Sequence, residues 1–231
     1  MFRSKRQLFF DLDHTLWDYE ACSKETLEEL WVAYNLDERG VPLENFLHKF
    51  SEVNEALWQQ LHAGLISKDV IRNDRFPTIL AELDVVDNTM AEAIQHDYIS
   101  VCPTKPYLID GALQLLETIA GRYHLHIITN GFDDIQSVKL RSGGIEHFFD
   151  EVITSGVAGY QKPEKQIFEY ALAKAKAEPE ESLMIGDNPL SDIEGAYLAG
   201  IDQVFYNPDN LYCPIKPTLE ITSLSTLIRH L

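Results

Sequence analysis

A chain of 231 residues with 45% apolar content is long enough for one large domain or for a core plus a smaller module, and too apolar for disorder. Its formal charge of −18 argues against nucleic acid polymers and anionic membrane surfaces as partners. An anionic small substrate stays compatible, because a bound cation and a few lysines can reverse the field at one site.

No apolar run approaches the length of a membrane span, and Met1 to Gln7 lacks the pattern of a signal peptide. Arg3, Lys5 and Arg6 are too few for a targeting signal. Cys22, Cys102 and Cys213 are odd in number, far apart and without metal-ligand spacing. They read as reduced thiols, and the expectation is a cytoplasmic protein.

In chain order, QLFF (7–10) reads as a buried strand, and Asp11 and Asp13 follow it with Leu12 between them. Extended backbone there would point both carboxylates to one face. Like charges that close raise each other's pKa, so the pair is either a surface loop or the floor of a site.

From about Cys22 to Ser100 the texture is helical. Leu27, Leu30, Trp31 and Tyr34 form one stripe; Phe46, Phe50, Val53 and Leu57 form another. Gly40-Val41-Pro42 and Gly64 punctuate the block. After Pro103 and Pro106, Asp110-Gly111 leads into a helix expected to present Leu113, Leu116 and Ala120 on one face. Then HLHIIT (124–129), EVITS (151–155), SLMIG (182–186) and DQVFY (202–206) alternate with helical stretches. That alternation predicts an α/β fold with a buried parallel sheet, interrupted after its first strand by a helical insertion.

In open α/β sheets ligands bind beyond the carboxyl ends of the strands. The residues there are Asp11, Asp13 and Thr15; Thr129, Asn130 and Gly131; Lys162-Pro163; and Gly186, Asp187 and Asp192. Singly, each has a structural reading. Thr129 could close a turn, Lys162 could be solvated, with Pro163 opening the helix that carries Ile167, Phe168, Ala171 and Leu172, and Asp192 could charge a helix. Together they form a hard-cation site with a hydroxyl and a lysine, suited to phosphoryl chemistry. An EF-hand beginning at Asp11 fails, because Leu16 and Cys22 stand where glycine and glutamate are needed.

DLDHT (11–15), ITNG (128–131), Lys162-Pro163 and GDNPLSD (186–192) resemble, in order, the motifs of the haloacid dehalogenase superfamily, in its phosphatase branch. The resemblance implies a Rossmann-like parallel-sheet core over 1–17 and 104–231 and a helical cap over 18–103. It implies Mg²⁺, with Mn²⁺ as a substitute, bound by Asp11, Asp13 through its carbonyl, and Asp187. Asp11 would be the nucleophile, Asp13 the acid/base, and Thr129 and Lys162 the phosphate holders. Asn130 and Gly131 would contact substrate, and Asp192 would support Lys162 or a metal-bound water. His14 departs from the glycine often found at its position and is expected to point away from the chemistry.

Asn54, Leu57-Trp58, Gly64-Leu65-Ile66 and Arg75-Phe76, with ITNGF (128–132), are similar to the pyrimidine 5′-nucleotidases of this superfamily. That similarity implies a nucleotide substrate met by Asn54, Trp58 and Arg75, with Phe76 as another candidate wall. From the charge, no nucleic acid polymer or membrane partner is expected, and the chain is expected to be a monomer or weak homodimer. Rival readings are a phosphatase or mutase for a sugar phosphate or other small organic phosphate, a dehalogenase, and a non-catalytic phospho-ligand-binding or receiver-type signalling protein. Asp13 argues against the dehalogenase, and the long insertion against the receiver.

Overall fold

The computed structural model of the protein describes Phe2 and Ser4–Leu231; Met1 and Arg3 of the amino-terminal segment lie outside the described residues. Two compact units emerge. One runs to Tyr19 and resumes at Pro106–Leu231; the other is Glu20–Lys105.

The first unit holds a six-stranded, all-parallel sheet. Its strands are β1 (Gln7–Phe10), β2 (His124–Thr129), β3 (Glu151–Thr154), β4 (Ser182–Gly186), β5 (Asp202–Tyr206) and β6 (Leu219–Ile221). Their spatial order is β3-β2-β1-β4-β5-β6, with β1 between β2 and β4. The order reverses between β1 and β4, which in doubly wound sheets opens a crevice beyond the strand ends. Register aligns the exits: Phe10 pairs with both Ile127 and Ile185, and Thr129 with Thr154.

Alternation decides the packing. Phe9, Ile128, Ile153 and Met184 share one face and pack with Ile167, Phe168, Ala171 and Leu172 of the helix Lys165–Ala175. Each of those side chains is buried, at about 1.5–3 kcal/mol for a large apolar group. The helix starts two residues after Pro163, which follows Lys162 through a cis peptide bond rather than opening the helix.

Two further expectations need correction, and β6 corresponds to no strand expected from the sequence pattern. β3 ends at Thr154, whose side chain accepts from Val157 N–H and caps a short helix, Ser155–Ala158. The helix Ala112–Ile119 buries Ala112, Leu115, Leu116 and Ile119, whereas Leu113 and Ala120 face solvent. The helix enters from a left-handed Gly111, and its buried stripe lies one position earlier than the expected one.

The second unit contains the remainder of α1 (Tyr19–Ala33), then α2 (Leu43–His62), α3 (Lys68–Glu82) and α4 (Asn88–Val101). Phe46, Phe50, Phe76 and Tyr98 pack together at its centre. The three cysteines are free thiols, two of them buried. Among the described residues no helix is long and apolar enough to cross a membrane.

Candidate active site

The site grows from the ends of four neighbouring strands. Asp11 leaves β1 with its backbone N–H bonded to Ile185 O at 2.9 Å, which ties the start of the loop to β4. The chain then curls tightly: Leu16 and Trp17 donate to Leu12 O, and His14 donates to Trp17 O. His14 takes φ = 65°, the left-handed region that glycine favours and that histidine enters more readily than most residues. That explains how histidine stands in a glycine position. Its ring lies 5.0 Å from that of Tyr19.

Lys162, only 2% exposed, joins two of the carboxylates. Its Nζ donates to Asp11 Oδ1 at 2.5 Å and to Asp192 Oδ1 at 2.6 Å. Asp192 reaches that place because Gly186 has no side chain: a Cβ there would collide with the Asp192 carboxylate. Asp192 Oδ2 accepts from Asn188 N–H at 3.0 Å, and Asn188 Oδ1 in turn accepts from Leu190 and Ser191 N–H. Asp187 accepts from the hydroxyl of fully buried Thr15 at 2.9 Å. Thr129, also buried, accepts from Gly131 N–H at 3.0 Å.

The side chain of Asn130 does something the sequence did not reveal. Its Nδ2 donates to Lys162 O at 2.9 Å, and its Oδ1 accepts from Lys162 N–H at 2.8 Å. Both polar atoms of the amide are thus engaged in fixing the backbone of Lys162. Gly131 is needed close by, since a Cβ there would strike Gln136 Nε2.

Asp13 stands apart from the Lys162 cluster. Its Oδ1 accepts from Lys139 Nζ at 2.6 Å. Lys139 was not singled out in the sequence. The available signal was a lysine sharing a helical stripe, i, i+3, i+4, with buried Gln136 and Leu140 in the helix Asp133–Ser142.

Asp11, Asp187 and Asp192 each offer an oxygen, and these atoms lie within 4.8 Å of one another. Burial is the largest cause pushing the Asp11 carboxyl up to about 8, against the pull of Lys162 and with the help of Asp192 and Asp187. Burial, then the charge of Asp192, pushes Asp187 up to about 7. Lys162 is held above the ordinary lysine range: Asp11 and Asp192 outweigh the opposing effect of burial. Three anionic oxygen donors that resist joint ionisation fit a hard divalent cation. The sequence reading gave Asp192 a supporting role; in the structure its carboxylate lies within the donor cluster as well as on Lys162.

Asn54, Trp58 and Arg75 belong to the helical unit. Arg75, 4% exposed, donates to Asn54 Oδ1 at 3.0 Å, and its guanidinium carbon lies 4.5–5.5 Å from the ring centres of Tyr98, Phe50 and Phe76. Phe76 is wholly buried and serves that interior. Trp58 is half-buried, its ring 6.0 Å from that of His62.

An acidic, lysine-bridged cluster at the switch between the first and fourth strands of a doubly wound sheet is suited to phosphoryl chemistry. The chain belongs to the haloacid dehalogenase-like hydrolases, whose family model matches residues 6–200.

Within that family its similarity extends over full-length relatives. It is 32% identical to the HAD-family protein YfnB of Bacillus subtilis over 96% of this chain and 93% of that one. A crystal structure of YfnB bound to magnesium superposes with a TM-score of 0.87 at 31% identity, covering 98% of each chain. It is 33% identical to the pyrimidine 5′-nucleotidase YjjG of Escherichia coli over 95% of each chain. It is 32% identical to the pyrimidine 5′-nucleotidase PynA of Streptococcus pneumoniae, over 96% of this chain and 92% of that one.

Proposed function

We propose that this protein is a Mg²⁺-dependent phosphate monoesterase that acts through an aspartyl-phosphate on Asp11, with pyrimidine nucleoside 5′-monophosphates as its preferred substrates. The observation that carries the phosphatase reading is the Lys162 bridge. A buried ammonium group fixes the Asp11 carboxylate at the β1–β4 crevice, beside two more carboxylates.

Asp11, Asp187 and the Asp13 carbonyl would hold the cation, with Asp192 contributing from within the cluster. When bound, Mg²⁺ lets the carboxylates ionise together and offsets the charge of the phosphate. Asp11 then forms the new O–P bond while the ester P–O bond breaks. Asp13 gives its proton to the leaving oxygen, and in the second half takes one from the water that attacks phosphorus as the Asp11 O–P bond breaks and phosphate is released. The Lys162 ammonium and the Thr129 hydroxyl neutralise the phosphoryl oxygens as charge gathers on them.

The nucleotide preference is supported by the two full-length relatives named pyrimidine 5′-nucleotidases. We assign leaving-group selection to the helical unit, with Asn54, Trp58 and Arg75 as its candidates. A panel of pyrimidine nucleotides, sugar phosphates and p-nitrophenyl phosphate, assayed with Mg²⁺, with Mn²⁺ and with excess EDTA, tests both parts. Hydrolysis undiminished by EDTA would remove the metal. A panel won by sugar phosphates would keep the phosphatase and remove the nucleotide preference.

A further inference from the structure

Lys139 is nine-tenths buried, yet it is absent from the roles set out above. Burying an ammonium group is costly unless it is paired and its surroundings compensate. The surroundings here are specific. Nζ is 2.6 Å from Asp13 Oδ1, 4.5 Å from the ring centre of Trp17 and 5.9 Å from that of Tyr19. Trp17 is itself fully buried and is returned beneath Asp13 by the tight curl of residues 12–17, with a bridge between the two residues. The lysine is therefore clamped between an aromatic face and one oxygen of one carboxylate. A cation over an indole face is attracted by the ring's quadrupole, which favours this placement of Nζ.

Lysine carries donors only. The oxygen it bonds, Oδ1, is committed as an acceptor, so the proton that Asp13 exchanges belongs on Oδ2. We propose that Lys139 is a positioning residue for Asp13: it fixes the carboxylate by Oδ1 and so aims Oδ2 at the leaving-group oxygen and, later, at the attacking water. The proposal rests on the phosphatase reading above. A plain salt bridge tying the helix Asp133–Ser142 to the loop after β1 would share the geometry, and its loss would depress all substrates alike.

Leaving-group dependence separates the two. A nucleoside 5′-monophosphate leaves as an alkoxide that needs a proton, whereas 2,4-dinitrophenyl phosphate leaves as a stable phenolate that does not. Single-turnover transfer to Asp11 is measured on both esters for the parent, Lys139→Met, Lys139→Arg and Asp13→Asn, with melting temperatures recorded. For Lys139→Met the ratio of the dinitrophenyl rate to the nucleotide rate is expected to rise about 10-fold to 10²-fold, the scale of misplacing a catalytic group by about 1 Å. Asp13→Asn is expected to raise it further, and Lys139→Arg to recover most of the parent ratio. If Lys139→Met does not fold, Lys139→Gln carries the same comparison. An unchanged ratio in the lysine variant beside a raised ratio in Asp13→Asn would overturn the proposal alone. An unchanged ratio in Asp13→Asn would overturn the acid/base assignment itself.

Discussion

Asn130→Ala asks whether Asn130 builds the site or reads the substrate. The amide side chain satisfies the N–H and the C=O of Lys162 at once, in a buried setting. Alanine leaves both backbone groups without that partner. Each unmet buried group costs about 1–3 kcal/mol, and with some relaxation the pair should cost about 2–4 kcal/mol. For a chain of this size 1 kcal/mol is worth about 2–4 °C, so the melting temperature should fall by about 4–16 °C. Lys162 would also lose its fixed approach to Asp11 and Asp192, and a shift of about 1 Å costs about 10²-fold in turnover. Asn130→Asp should do at least as badly at neutral pH, since it keeps the acceptor for Lys162 N–H but sets a carboxylate against Lys162 O. Differential scanning fluorimetry and steady-state kinetics on p-nitrophenyl phosphate suffice. A variant with the parent melting temperature, the parent kcat and only a raised KM would refute this reasoning and return Asn130 to substrate contact.

Asp11→Asn should abolish turnover, because an amide is a poor nucleophile at phosphorus, whereas Asp13→Asn should cost about 10²-fold to 10⁴-fold on a nucleotide; near-normal activity in Asp11→Asn would displace the nucleophile. Asp11 and Asp187 have folded-state pKa values raised to about 8 and about 7. Their contribution to stability is therefore full below the unfolded carboxylate range, and is lost as pH rises through those values. The metal-free protein should melt progressively lower across that window, while a fixed Mg²⁺ concentration, about 100 times its Kd at the high end, should restore about 2.7 kcal/mol there and less at the acid end, where protons compete for the carboxylates. A magnesium shift independent of pH in thermal melts would contradict this. Asn54→Ala and Arg75→Ala should lose more activity on a pyrimidine nucleotide than on p-nitrophenyl phosphate if they select the leaving group. Equal losses, with a lowered melting temperature in Arg75→Ala, would make the Arg75–Asn54 bond an internal strut of the helical unit.

Sequence alone determined what short-range pattern can encode. Five strands were legible because each is a run of apolar, often β-branched residues closed by a polar strand end. β6 was not, since Leu219–Ile221 is a three-residue edge strand whose middle residue, Glu220, faces solvent. The acidic and lysine residues of the site could be singled out because every strand end in such a sheet faces the same crevice, whatever the distance along the chain. Tertiary structure decided which partner each side chain takes there. Asp13 and Lys139 are 126 residues apart, and Asn130 and Lys162 are 32 apart. No periodicity marks either pair, because a hydrogen bond between distant segments depends on where the packed sheet and helices bring their atoms. The same holds for Gly186, whose missing side chain matters only because folding lays Asp192 against it.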